Sequence, residues 1–268
     1  MKLLHAFLYP VKSMRAVALD SFELDALGIA GDRRWLVVDA DGKFLTQREV
    51  PALVRFQPAL RPGGLAIDDG AAVLEVAEPP LTSRRVRTTI WKDTFDALDA
   101  GDEAAAWLSA RLARPCRLVH FARDVTRVVD RTYALDAQTS FTDAYPLLIV
   151  NEVSLDALNA TLPSPISMDR FRPNLVVRGE RAWEEDGWTK LRVGGVPFDG
   201  VKPCARCVAI TTDQRSGERP MGSTPLARLA ELHTLKVGSS PGAIFGMNLV
   251  HRALGSIRVG AEVTLGSP

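Results

Sequence analysis

Cysteine is scarce in this sequence, with three in 268 residues. Three cannot all pair internally and are too few for a disulfide scaffold, so a reducing, cytoplasmic compartment is expected. A charge excess is also lacking. Lysine plus arginine is 33 against 32 for aspartate plus glutamate, a formal net charge of +1. Nucleic acid is therefore not an expected partner, although a local basic pocket is still allowed. Long apolar runs are missing too. The longest in mid-chain is Leu147–Val150, against about 20 residues for a membrane span, so no membrane association is expected. At the N-terminus His5 interrupts the apolar stretch and Pro10 ends it. With no small-residue cleavage site following, no signal peptide is expected.

Familiar chemical motifs are absent as well. The sequence has no glycine-rich dinucleotide fingerprint, no phosphate loop ending in Gly-Lys-Ser/Thr, no His-Glu-x-x-His and no Gly-x-Ser-x-Gly. These absences remove the common nucleotide, zinc-protease and hydrolase readings. His5, His120, His233 and His251 are scattered without metal-ligand spacing.

What is present is an ordinary globular composition, 46% hydrophobic and 24% charged, in a chain long enough to bury a core unaided. The pattern predicts an α+β, mainly β fold. Short apolar or alternating segments recur at Leu3–Tyr9, Ala16–Leu24, Arg34–Asp39, Val54–Leu60, Ala71–Val76, Arg84–Thr89 and Thr94–Ala97. Turn signals at Asp41-Gly42, Pro62-Gly63-Gly64 and Pro79-Pro80 separate them, and Lys43–Thr46 reads as the return strand of a hairpin. Such a series suggests a barrel or sandwich. Helices are expected at Asp102–Leu112 with Asp102 as N-cap, at Ser154–Leu162 and at Thr224–His233. Strands are expected at Cys116–Phe121, Leu147–Val150, Asn174–Val177, Leu191–Gly194, Val196–Asp199, Cys207–Thr212, Phe245–His251 and Glu262–Leu265. The polar stretch after Phe121 suggests two β-rich domains, 1–122 and 123–268.

The segment Lys202-Pro203-Cys204-Ala205-Arg206-Cys207 carries the clearest chemistry. Half of a zinc site, a redox pair, a single soft thiolate and a cysteine that merely packs all remain open. In an extended strand, residues three apart face opposite sides, which would separate Cys204 from Cys207. Basic and amide side chains also stand beside turns or strand starts: Lys12-Ser13, Arg33-Arg34, and Arg170, Arg172 and Asn174. Such donors can converge on an anion, or can simply be solvated.

Taken in order, Tyr9-Pro10-Val11-Lys12-Ser13, Gly31-Asp32-Arg33-Arg34-Trp35-Leu36-Val37, Phe171-Arg172-Pro173-Asn174 and Pro203-Cys204-Ala205-Arg206-Cys207, followed by Thr211-Thr212-Asp213, resemble a known family. Its members join an N-terminal β-barrel domain to a molybdenum cofactor sulfurase C-terminal (MOSC) β-barrel domain with a few peripheral helices. The amidoxime reducing components are among them. The resemblance implies a molybdenum cofactor (molybdopterin) between the two domains. Cys207 would be the catalytic thiolate bound to the metal. Lys12, Ser13 and Arg33 would hold the pterin phosphate, Arg172 and Asn174 would bind the pterin, and Asp143 would lie near the metal. A soft thiolate suits a metal whose cofactor ligands are also sulfur. The implied reaction is two-electron reduction of a small N-hydroxylated substrate. Three cysteines cannot supply four cluster ligands, so electrons would come from a separate iron–sulfur or flavin protein. A carrier or delivery protein for the cofactor or its sulfur is the alternative, and a binding module with inert cysteines is a third. One position departs from the pattern: Asp143-Ala144-Tyr145 stands where relatives have Asp-Thr-Ser, which removes two hydroxyls.

Overall fold

The computed structural model describes residues 1–238 and 240–266. Strands dominate, with three α-helices and four short 3-10 turns among the described residues. The largest sheet has nine strands. Its order runs Val263–Leu265, Lys190–Val193, Val196–Ala205, Ser240–His251, Leu147–Asn151, Leu175–Val177, Leu3–Leu8 and Val17–Leu19, with Thr234–Val237 also paired to Ser240–His251. The pair Leu147–Asn151 and Leu175–Val177 is parallel. Parallel neighbours need a crossover, and the helix Glu152–Asn159 lies in that connection. The Asn151 side chain accepts a hydrogen bond from Val153 N and starts this helix two residues before the expected serine.

The sheet curls until its first and last strands meet. Leu3 N donates to Ala261 O at 2.9 Å, Gly260 N to Leu3 O at 2.8 Å and Val263 N to Met1 O at 2.9 Å. Closure removes exposed strand edges. It also places the N-terminal segment inside the barrel of the second half. Leu3–Leu8 pairs with Leu175–Val177 on one side and Val17–Leu19 on the other. Ser21–Asp25 pairs with Gly255–Arg258. The core of this barrel mixes Leu3, Ala6, Leu8, Phe22 and Leu24 with Ile149, Leu175, Phe198 and Leu249. A division of the sequence into 1–122 and 123–268 therefore does not coincide with the division of the sheets. Register and burial assign a strand to its sheet, and its place in the chain does not.

The rest of the first half forms a four-stranded sheet, Trp35–Val38, Arg117–His120, Asp93–Asp99 and Arg85–Ile90, and a three-stranded meander, Gln57–Arg61, Gly64–Asp68 and Val73–Ala77. Helix Asp102–Leu112 packs Ala104, Leu108 and Leu112 onto a core with Trp35, Leu65 and Leu118. Its N-terminal flank is Gly101, not Asp102. The expected return strand Lys43–Thr46 makes only isolated bridges, Phe44 to Val38 and Lys43 to Thr89. Cys207–Thr212 is not a strand. The chain leaves the sheet after Ala205 and turns into a 3-10 helix, Val208–Thr211, where Thr211 Oγ1 donates to Val208 O at 2.7 Å.

Because one core serves both ends of the chain, Leu3→Ala should destabilise the whole barrel by about 2–5 kcal/mol. Urea denaturation followed by near-UV circular dichroism should show one shifted transition. An early transition confined to part of the signal would contradict the shared core.

Candidate functional site

Three backbone turns bring the basic segments to one place. After Leu3–Leu8, Val11 bridges to Trp35 and Lys12 N donates to Trp35 O at 2.9 Å. Arg33 N donates to Tyr9 O at 2.7 Å. The 3-10 turn Met168–Phe171 ends at Arg172, and Pro173-Asn174 leads into Leu175–Val177. Ser13, Arg33 and Arg172 have φ of 70°, 50° and 54°, left-handed values uncommon for residues with a side chain. Trp91, across the site, has φ 56°. Strain of this kind collects where function over-determines the backbone.

These turns border a cavity of about 480 Å³, a volume suited to a small molecule or cofactor. Lys12, Ser13, Arg33, Asp143, Arg172, Asn174 and Cys207 all line it. Its walls come from both halves of the sequence.

The inner wall is cationic and largely shielded from solvent. Lys12 is 5% exposed, and its Nζ donates to Asp143 Oδ1 at 2.8 Å. Burial pushes the Lys12 ammonium down to about 8, with the Asp143 charge opposing part of the fall. The Arg33 guanidinium bonds Asp32, Asn174 Oδ1 at 3.3 Å and Arg172 O at 3.2 Å. Arg172 Nη1 donates to Met14 O at 2.8 Å and to Gln214 Oε1 at 3.3 Å, while its Nη2 is buried without a partner. Burial, with the nearby Arg33 charge, lowers Arg172 to about 10. Tyr9 separates the two arginines, its ring 4.4 Å from the Arg33 guanidinium and 4.3 Å from that of Arg172. The Tyr9 hydroxyl donates to Pro173 O at 3.1 Å. Tyr9 was visible as part of a motif, but nothing in the sequence marks it as the spacer between two cations.

Asn174 spends its amide on the protein. Its Oδ1 accepts from Leu148 N at 3.2 Å and its Nδ2 donates to Phe7 O at 3.2 Å. It therefore fixes the wall of the cavity more than it offers a free donor. Asp143 is held differently. Protein packed around the cavity raises its carboxyl, but the Lys12 and Arg48 charges and the indole of Trp91, which donates at 3.1 Å, hold it well below the usual carboxylate range. Its side chain is 70% accessible, so an ionised oxygen faces the cavity. Behind it, buried Arg127 ties the loop to Asp93 at 2.8 Å and donates to Ser140 O and Thr142 O, both at 2.7 Å. Tyr145, also on the cavity lining, packs into a cluster with Val129, Ala134 and Val250, its hydroxyl buried without a partner.

Cys204 and Cys207 both line the cavity, in place of the opposite faces expected of a continuous strand. Register shifts flank the Lys202–Pro203 segment, as a proline without an N–H imposes within a sheet. The chain then departs after Ala205. Arg206 donates to Cys204 Sγ at 2.9 Å and to Phe171 O at 2.7 Å. Cys207 is exposed, whereas Cys116 is buried and burial pushes its thiol upward. Among the described residues no cluster of three or more histidine, cysteine or carboxylate side chains could hold a metal. A metal here would take one protein ligand, with its remaining ligands brought by a cofactor. The residues present fit such a group: a free soft thiol, three dehydrated cations, and an orphaned guanidinium nitrogen on an anion-seeking wall.

Residues 1–115 match the MOSC N-terminal beta barrel domain and residues 136–264 match the MOSC domain. The chain is 31% identical to mitochondrial amidoxime-reducing component 1 of Xenopus laevis, over 96% of this chain and 79% of that protein. It is 32% identical to the human mitochondrial amidoxime reducing component 2, over 96% of this chain and 81% of that protein. Human molybdenum cofactor sulfurase is 29% identical over 92% of this chain, which spans only 30% of that protein. The chain belongs to the family that joins a MOSC N-terminal beta barrel domain to a MOSC domain.

Proposed function

We propose that this protein binds a molybdenum cofactor in the cavity between its two halves. There it would act as the catalytic component of a reductase for N-hydroxylated compounds, fed by a separate electron-donor protein. The observation that carries the reading is the meeting of exposed Cys207 with dehydrated Lys12, Arg33 and Arg172 around one cavity.

Lys12, Ser13 and Arg33 would hold the cofactor's phosphate, and Arg172 the pterin, from an opposed strand end. Cys207 would bind the metal. When bound, the cofactor supplies two-electron redox chemistry at a sulfur-ligated metal. The protein's share is position and field. Asn174 and Tyr9 hold the arginines in place, and Asp143 presents an ionised oxygen that accepts from a substrate N–H or O–H. The overall change balances simply. The N–O bond breaks, two electrons come from the donor, two protons are taken up, oxygen leaves as water and an N–H bond forms.

A second reading, a carrier for the cofactor or its sulfur, draws on the similarity to molybdenum cofactor sulfurase. A persulfide is a reversible cap on a thiol. A labile adduct of about one sulfur mass on Cys207, without reductase turnover, would favour this reading.

Cys207→Ser should fold normally yet lose bound molybdenum, measured by elemental analysis after expression in a host that makes the cofactor. Full metal content together with full turnover would defeat the assignment.

Lys12 gives a pH signature. Binding an anion favours its charged form, and in the empty site that form is lost as pH rises through about 8. Sulfate keeps its charge across this range. Its affinity for the cofactor-free protein should be level below pH 7 and then fall by up to about tenfold per pH unit above 8. In Lys12→Met, binding should be weak and flat. Sulfate binding that strengthens with pH would refute the role given to Lys12.

A further inference from the structure

The cavity lining carries six cations, Lys12, Arg33, Arg48, Arg172, Lys202 and Arg206, against one carboxylate, Asp143. A cofactor phosphate accounts for the deep group, Lys12, Arg33 and Arg172. Arg206 is committed to Cys204 Sγ and Phe171 O. Arg48 and Lys202 are left over. Among the described residues neither forms an ion pair with a carboxylate. Each is held over an aromatic ring, Arg48 at 4.4 Å from Trp91 and Lys202 at 4.4 Å from Tyr133. A ring face fixes a cation without consuming its N–H donors. Trp91 itself is 51% exposed, on the turn between Arg85–Ile90 and Asp93–Asp99. Its indole N–H is anchored on Asp143 at 3.1 Å.

We propose that Arg48 and Lys202 form an anion subsite of this cavity, so that the preferred substrate is a small aromatic or planar molecule carrying a carboxylate as well as its N–OH group. The inference rests on the reductase reading and deepens it. Arg48 offers a planar donor fork, which matches a carboxylate in two-point contact. Lys202 adds a point charge, and Trp91 supplies an apolar surface for the body of the molecule. A cationic substrate meets like charge and is disfavoured by the same residues. An uncharged one gains only the stacking surface.

The test uses the cofactor-loaded protein and its electron donor. KM is compared for an uncharged aromatic amidoxime and for the same molecule bearing a ring carboxylate. The carboxylate should lower KM by about tenfold, the size of one charge-assisted hydrogen bond. The preference should collapse in Arg48→Met and in Lys202→Met, weaken in Arg48→Lys where the two-point fork is lost, persist in Lys202→Arg, and shrink with added salt. kcat should change less than KM. Benzoate binding, followed by calorimetry on the same loaded proteins, reads the subsite without turnover and should weaken about tenfold in each methionine variant. Loss of benzoate binding in those variants with no reduction of either amidoxime would uphold the subsite and overturn the reductase reading. Equal KM values and unchanged benzoate binding would overturn the subsite. So would salt and variant effects confined to the KM for the electron donor, which would make these cations a docking point for an acidic protein.

Discussion

The buried amide of Asn174 joins the structure's two problems, how the barrel closes and how cations are held out of water. It is 1% exposed and stands where the first strand meets the second half of the chain. One oxygen accepts from the backbone of Leu148 and from the Arg33 guanidinium, and the nitrogen donates to Phe7 O. A buried polar group must be satisfied, and here the satisfaction is shared among three separate segments. The Leu3–Leu8 strand cannot shift register without breaking it, and Arg33 cannot leave the cavity wall without unpairing it. Fold and site are set by the same contacts.

Around that point the protein keeps an electrostatic imbalance. Dehydrated cations destabilise a folded state unless they are paired, and Asp32 and Asp143 pair only some of them. The remainder is offset by aromatic faces, by backbone carbonyls at Met14 and Arg172, and by the cores on either side. Left-handed backbone at Ser13, Arg33 and Arg172 belongs to the same arrangement. At Ser13 and Arg172 it lets consecutive residues, Lys12-Ser13 and Phe171-Arg172, line the cavity together where regular strand would alternate them. The unpaired cations repel one another across the cavity, and an anion there would offset that repulsion.

Much of this was legible in the sequence because the site motifs are short, polar and placed at turns. Lys12-Ser13, Arg33, Arg172, Asn174 and Cys207 stand out against an apolar background, and the cavity gathers them all. The helix Asp102–Leu112 was equally plain from its spacing. What could not be read depended on partners distant in the chain. Val208–Thr211 is β-branched and apolar, and such a run suits a strand or a tight turn. Only the departure of the chain from Ser240–His251 decides between them. The pairing of Leu3–Leu8 with Leu175–Val177 spans most of the chain, beyond the reach of any local pattern. Arg48 and Trp91 read as ordinary surface or core residues until the fold sets them beside the cavity.

The early strand inside the late barrel also sets an order of events at the ribosome. Residues 3–8 emerge long before their neighbour on one side, 175–177, which lies about 170 residues further along the chain. Contacts this distant in sequence form slowly, because the intervening chain must be closed first. Until then the first strand offers an unsatisfied edge and an apolar face to whatever is near. The sheet and meander between residues 35 and 120 can form in the meantime, and the N-terminal tail waits beside them. Completion of the barrel is therefore a late step, and because Lys12, Arg33 and Arg172 come together only through it, the cavity is assembled in the same step.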